Sequence, residues 1–271
     1  MPIALGVETY NADAVPVVAR GAAMQDSELD SALDSEVAAI LRDDSGRSDV
    51  QTILAGVAET AFAIDSLNRV LAFTPPIPGW RVGEALAETF LVDHRRCEFP
   101  WPGGRDLKNP NASAAGTDLV GFQKHEQNAD DCRFAFGEVK TSFDVNTPPS
   151  VVTGRHGLVK QLEELRDSTS LKDRLLQYLT LHAAGKPWLP KLRSAATKYL
   201  SDPTDIAIFG ILIRDITPDA RDLSSRATSL STNCPNKTSI ELRAIYLPNQ
   251  TIEPAPPKPH LAQRALTALS Q

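Results

Sequence analysis

The run "DIAIFGILIRD", residues 205–215, limits the possible folds more than any other stretch of the chain. Between its flanking aspartates only Arg214 is polar. A strand that is apolar on both faces has no side to offer water, so helices must cover the sheet that contains it. Three more stretches read as strands: "TDLVGFQ" from residue 117, "RFAFGEVKTSF" at 133–143 and "TSIELRAIYLP" at 238–248. Two helical patterns, "GLVKQLEELRD" and "SLKDRLLQYLTLHAA", separate the second strand from the apolar one.

Upstream, residues 24–43 and 49–72 space their apolar residues three and four apart and are predicted to be helical. "TPPIPG", 74–79, breaks that pattern. In "WRVGEALAETFLVDH" the residues Val82, Leu86, Thr89 and Phe90 fall on one helical face, and Glu84 and Glu88 on another. Residues 99–115 are too rich in Pro, Gly and Asn for regular structure. The order helix, strand, strand, helices, strand, strand predicts an α/β fold, a mixed central sheet flanked by helices. It divides the chain into an acidic N-terminal helical segment packed on the core (1–78), a main domain (79–250), and a Pro-rich spacer with a short C-terminal helix (251–271).

With 271 residues, 42% of them hydrophobic, the chain can bury a large core. No apolar run is long enough to cross a bilayer, and the first residues lack a basic stretch leading into an apolar one, so a soluble cytoplasmic protein is expected. Cys97, Cys132 and Cys234 fit neither a disulfide framework nor a paired-cysteine zinc site. The charge is uneven: residues 1–50 carry a net charge of −7 and the remainder +1. A near-neutral body can bind a polyanion through local basic patches, which a uniformly acidic one would repel.

One strand ends in charge. In "FAFGEVKTS", residues 134–142, Phe134, Phe136, Glu138 and Lys140 share a face. Asp118 begins the preceding strand, and a hairpin between the two would bring its carboxylate towards that of Glu138. Carboxylates forced together repel unless a cation neutralises them, and Mg²⁺ prefers oxygen ligands and retained waters. Such an ion polarises a phosphoryl oxygen, and a nearby lysine orients water or stabilises charge. A plain ion pair at a strand end is the alternative reading of Glu138 and Lys140.

An Asp followed by Glu-x-Lys on adjacent strands, with a glutamate on a preceding helix, resembles the PD-(D/E)XK nuclease superfamily. The matching pieces are Glu84 in "VGEALAE", Asp118 in "GTDLVGF", and Glu138 with Lys140 in "FGEVKTS". Glu88 is the alternative helix carboxylate; Glu84 matches the motif. Asp106-Leu107-Lys108 is a second acid-x-Lys match, but it sits in the Pro/Gly/Asn loop. Gly116 and Thr117 stand where the superfamily has a proline. Together with "GLVKQLEEL", which carries Gln161, these motifs resemble the HamA family, nuclease components of the Hachiman anti-phage defence system, over roughly residues 80–247.

The resemblance implies a restriction-endonuclease-like core and catalytic roles for Asp118, Glu138, Lys140, Glu84 and Gln161. It further implies Mg²⁺ or Mn²⁺ on Asp118, Glu138 and Glu84, DNA as substrate, and a HamB-like superfamily 2 helicase as partner. A basic stretch at 183–201 with Lys186, Lys191, Arg193 and Lys198, together with Trp188 and Tyr199, is a candidate phosphate-binding surface or a partner-docking one. Two other readings stay open: a catalytically inactive nuclease-fold subunit for DNA binding or assembly, and a metal-dependent phosphoesterase acting on nucleotides.

Overall fold

The computed structural model describes residues 2–4, 6–72, 77–106, 116–248 and 264. The proposed C-terminal spacer and helix lie outside the described residues, apart from Arg264, as do 107–115 of the Pro/Gly/Asn loop, Lys108 included.

The apolar run forms β6 (Ile206–Arg214), buried at all nine positions. Its alternation feeds two separate cores. Ile206, Ile208 and Leu212 face one layer, while Ala207, Phe209, Ile211 and Ile213 face the other. β6 lies parallel between β5 (Cys132–Ser142) and β7 (Ser239–Tyr246). On the β5 side the sheet continues antiparallel through β4 (Leu119–Lys124) to the two-residue β3 (Cys97–Glu98).

The N-terminal segment departs from its predicted all-helical form. It opens with two strands, β1 (Val7–Ala14) and β2 (Val17–Ala23), and β2 pairs in parallel with β7. The result is one mixed seven-stranded sheet, ordered β1-β2-β7-β6-β5-β4-β3. Most side chains of the edge strand β1 are exposed; only Tyr10, Ala12 and Ala14, alternating with exposed residues, pack against the core, and two of the three are small. The two predicted helices that follow are four shorter ones: α1 (Asp26–Leu33), α2 (Glu36–Arg42), α3 (Asp44–Ala55) and α4 (Ala61–Ala72). The junction of α2 and α3 is Asp43, in the left-handed conformation (φ 50°), whose carboxylate accepts from the Gly46 N–H. Asp tolerates that conformation and caps well.

Helix α5 (Gly79–Arg95) covers one face of the sheet with Val82, Leu86 and Phe90, and ends at Arg96 in the left-handed region. The other face is covered by α6 (Ser150–Thr153), α7 (Leu158–Asp167), α8 (Thr169–His182), α9 (Leu189–Ser201) and α10 (Ser224–Ser231). α5 lies very close to β5. A Cβ added at Gly83 would sit 2.1 Å from Thr141 Oγ1, so only glycine permits this approach. Thr141 Oγ1 is itself buried and makes no hydrogen bond.

Gly83→Ala should therefore destabilise the protein by about 1–3 kcal/mol, measured by urea unfolding. Adding Thr141→Ala, which removes the clashing hydroxyl and breaks no hydrogen bond, should recover most of that loss. A double variant as unstable as Gly83→Ala would contradict the close-approach account.

Candidate functional site

β4 and β5 form a hairpin in which Leu119 pairs with Gly137. Asp118, the residue before β4, is thereby set beside Glu138 and Val139. Its Oδ2 accepts the Val139 N–H at 2.7 Å. On the same strand Lys140 Nζ donates to Glu138 Oε1 at 2.7 Å. Thr117 is buried and donates its hydroxyl to the Gly137 carbonyl at 2.6 Å, with Glu138 Oε2 at 3.4 Å. Strand pairing, together with these side-chain hydrogen bonds, thus fixes Asp118, Glu138 and Lys140.

Glu84 stands on α5, on the turn that Gly83 brings against β5, near enough to feel the charges of Asp118 and Lys140. Its Oε2 accepts from Arg81 Nη1 at 2.6 Å, one helical turn away. Arg81 and Thr117 are the site residues that sequence reasoning missed. The signal for Arg81 was its position three residues before Glu84; for Thr117 it was its place next to Asp118.

Burial dominates the electrostatics. Glu138 is only 2% exposed, and burial, reinforced by the Asp118 carboxylate, pushes it up to about 8 against the pull of Lys140. Burial also raises Asp118, outweighing the Val139 N–H and Lys140. Glu84 rises to about 7 through burial and the field of Asp118, with Arg81 opposing. Glu88 also rises to about 7, but by burial; Arg81 and Glu84 act on it, while Asp118 and Lys140 are not among its strongest influences. Of the two helix carboxylates, Glu84 is therefore the one that shares a field with the strand cluster.

Gln161 stands on α7, which covers the same sheet face as Glu138. Its neighbour Leu162 packs over Gly210, the register partner of Glu138 on β6. The Gln161 Oε1 atom is buried and accepts no hydrogen bond, and the structure shows no bond from it to the other four residues. An orphaned acceptor of this kind is what a donor or cation from outside the chain would satisfy.

The donor set fits a hard divalent cation held by two carboxylates. Asp118 and Glu138 offer adjacent oxygens whose mutual repulsion a cation would relieve. Among the described residues no three His, Cys, Asp or Glu side chains form a ready-made cage. Mg²⁺, which keeps several waters and commonly takes one or two carboxylates plus substrate phosphates, needs none. Glu84, engaged by Arg81, would join only on leaving that pair.

The expected phosphate-binding stretch is only partly available. Lys186 is paired with Asp49 (2.8 Å), Lys191 with Glu98 (2.7 Å) and Lys198 with Asp131 (2.7 Å), while Arg193 is exposed. Trp188 and Tyr199 are buried in the core against Phe122 and Phe134, so neither is placed to stack on a base. Their helical spacing from the apolar Leu192 and Ala195 puts them on the inner face of α9.

Among the described residues no helix is long and apolar enough to cross a membrane. Searched against protein-family models and curated proteins, the chain matches none.

The raised carboxylates set a pH dependence. Glu84, Glu88 and Glu138 start from an ordinary value of 4.5 and reach about 7 or 8 in the fold, so the folded state binds more protons than the unfolded one in between. Their contribution is fully present below 4.5 and is lost as pH rises through 7 to 8. In EDTA, the melting temperature should fall between about pH 5 and pH 8, and Glu138→Gln should flatten the upper part of that fall. Mg²⁺ should restore stability at the alkaline end, where the ligands are already deprotonated.

Proposed function

We propose that this chain is a Mg²⁺- or Mn²⁺-dependent deoxyribonuclease of the PD-(D/E)XK superfamily with a restriction-endonuclease-like core. We further propose that it is the effector of a Hachiman-type anti-phage system, acting with a HamB-like superfamily 2 helicase. The observation that carries the nuclease reading is the β4–β5 register, which juxtaposes Asp118 with Glu138 and Lys140. Glu84 joins them from the preceding helix, the arrangement by which the motifs resemble that superfamily. The helicase and defence assignments rest on the motif resemblance over roughly residues 80–247.

In this reading Asp118 and Glu138 hold the cation, with Glu84 as a third donor. A divalent cation so bound supplies charge stabilisation at a phosphoryl oxygen and acidifies a water. Lys140, fixed by Glu138, holds the attacking water or the developing phosphoryl charge in place. With a cation bound there, the raised values of these carboxylates would fall, and they would serve as its deprotonated ligands. Gln161 offers its amide to the water or phosphate. Binding the phosphodiester without reading bases needs only backbone contacts, for which Arg193 is one exposed candidate on α9.

The test incubates the purified chain with linear and circular DNA, in Mg²⁺ and in EDTA. Cleavage of both forms that stops in EDTA supports the proposal. Hydrolysis of nucleotides with DNA left intact would instead indicate a small-substrate phosphoesterase, and intact DNA with normal DNA or helicase binding an inactive subunit. Glu138→Ala with Lys140→Ala should reduce cleavage by about 100-fold or more while preserving the circular dichroism spectrum, because it removes a charge pair and no hydrophobic side chain. Parent-rate cleavage by that variant would sink the site assignment.

A further inference from the structure

Trp101 follows β3, and its indole meets cationic and aromatic side chains. His182, at the end of α8, lies parallel to it with centroids 4.2 Å apart and 9° between planes. The Arg105 guanidinium stands 4.9 Å from the indole centroid and Lys186 Nζ 5.9 Å. Tyr178 meets His182 edge-on at 5.0 Å. An aromatic platform ringed by Arg and Lys is the chemistry that holds single-stranded nucleic acid, with bases stacking on the ring and phosphates on the cations.

The acidic front occupies those cations. Asp43 takes Arg105 through two hydrogen bonds, at 2.8 and 2.6 Å, while Ser45 Oγ accepts a third at 2.5 Å. Asp49, further along α3, takes Lys186 at 2.8 Å. A carboxylate accepting two guanidinium N–H groups copies the geometry of a phosphate. Holding Arg105 there also keeps its guanidinium over the indole. Glu88 feels both Asp43 and Arg105, so this cluster borders the helix that carries Glu84.

We propose that Trp101, His182, Arg105 and Lys186 form a landing site for single-stranded DNA, held shut in this state by Asp43 and Asp49 as phosphate mimics. Phosphates that displace the two carboxylates free Arg105 from the indole and let a base take its place. The inference rests on the DNA reading above but not on hydrolysis, so it is measured with no metal present.

The experiment follows binding of a fluorescein-labelled single-stranded oligonucleotide of about 16 nucleotides to the full chain in EDTA, by anisotropy. Asp43→Asn with Asp49→Asn should tighten binding about tenfold and steepen its salt dependence. Asparagine keeps the left-handed conformation and the cap to Gly46 at position 43. Asp49→Asn alone, at a helix surface position, should give a smaller gain and guards against misfolding at the α2–α3 junction. Asp34→Asn with Glu36→Gln removes the same charge elsewhere on the front and should leave affinity nearly unchanged. Adding Trp101→Ala to the open variant should abolish the gain, whereas Trp101→Phe should keep part of it. Equal gains from both neutralised pairs, no gain from either opening variant, or a gain that survives Trp101→Ala overturns the inference. Metal-dependent cleavage that persists alongside such a result leaves the nuclease reading standing.

Discussion

The pairing of Leu119 with Gly137 is the constraint on which the candidate chemistry depends. A one-residue slip of β4 would send Asp118 to the opposite face of the sheet from Glu138. Several contacts pin this register: the Val139 N–H on Asp118, the Thr117 hydroxyl on the Gly137 carbonyl, and the packing of Leu119 against Gly137, where an added Cβ would meet the leucine at 3.1 Å. Each draws on backbone groups or on the absence of a side chain. The carboxylates are therefore held by a frame that their own repulsion cannot relax.

The same protein contains a second buried charge pair. Arg214, at the end of β6, is fully buried, with Nε 3.2 Å from Asp222 and its two terminal nitrogens donating to the Asp144 and Asn146 carbonyls at 2.6 and 3.0 Å. Tyr246 donates to Asp222 at 2.9 Å. These contacts tie the loop after β5 to the ends of β6 and β7, yet burial still raises Asp222 and leaves its Oδ1 without a hydrogen-bond partner. At the candidate site one lysine and one arginine serve three desolvated carboxylates, all raised from their ordinary values. What sets the candidate site apart is that two strand carboxylates, Asp118 and Glu138, are held side by side with one lysine between strand ends.

The central strands and the charged cluster were legible in the sequence for local reasons. "DIAIFGILIRD" is apolar throughout because both its faces are buried, and Glu138 and Lys140 stand out because they end an apolar pattern. What escaped depended on distant parts of the chain. β1 and β2 are held by β7, more than two hundred residues away in sequence. The breaks between α1, α2 and α3 come at Asp34–Ser35 and at Asp43, where no Gly or Pro interrupts the helical spacing. Trp188 and Tyr199 were counted with the basic stretch because composition gives their presence and not their direction; Phe122 and Phe134 on the sheet draw them inward.

The division of charge along the chain acquires a structural meaning from these pairings. Residues 1–50 carry a net charge of −7 against +1 for the rest, and the acids of that segment do not all act alike. Asp30 is paired with Arg264, Asp43 with Arg105, and Asp49 with Lys186. The last two cations both lie against one indole. The Asp49–Lys186 pair is half-exposed, so it contributes little to stability and weakens with salt, whereas Asp43 holds the mostly buried Arg105 through two hydrogen bonds. The weaker Asp49 pair can be traded for a phosphate at little cost, and a phosphate arriving at Arg105 would replace the two bonds of Asp43 in kind. β1 and β2 anchor the front segment to the sheet, while α3, with no buried residue of its own, can yield without disturbing the core.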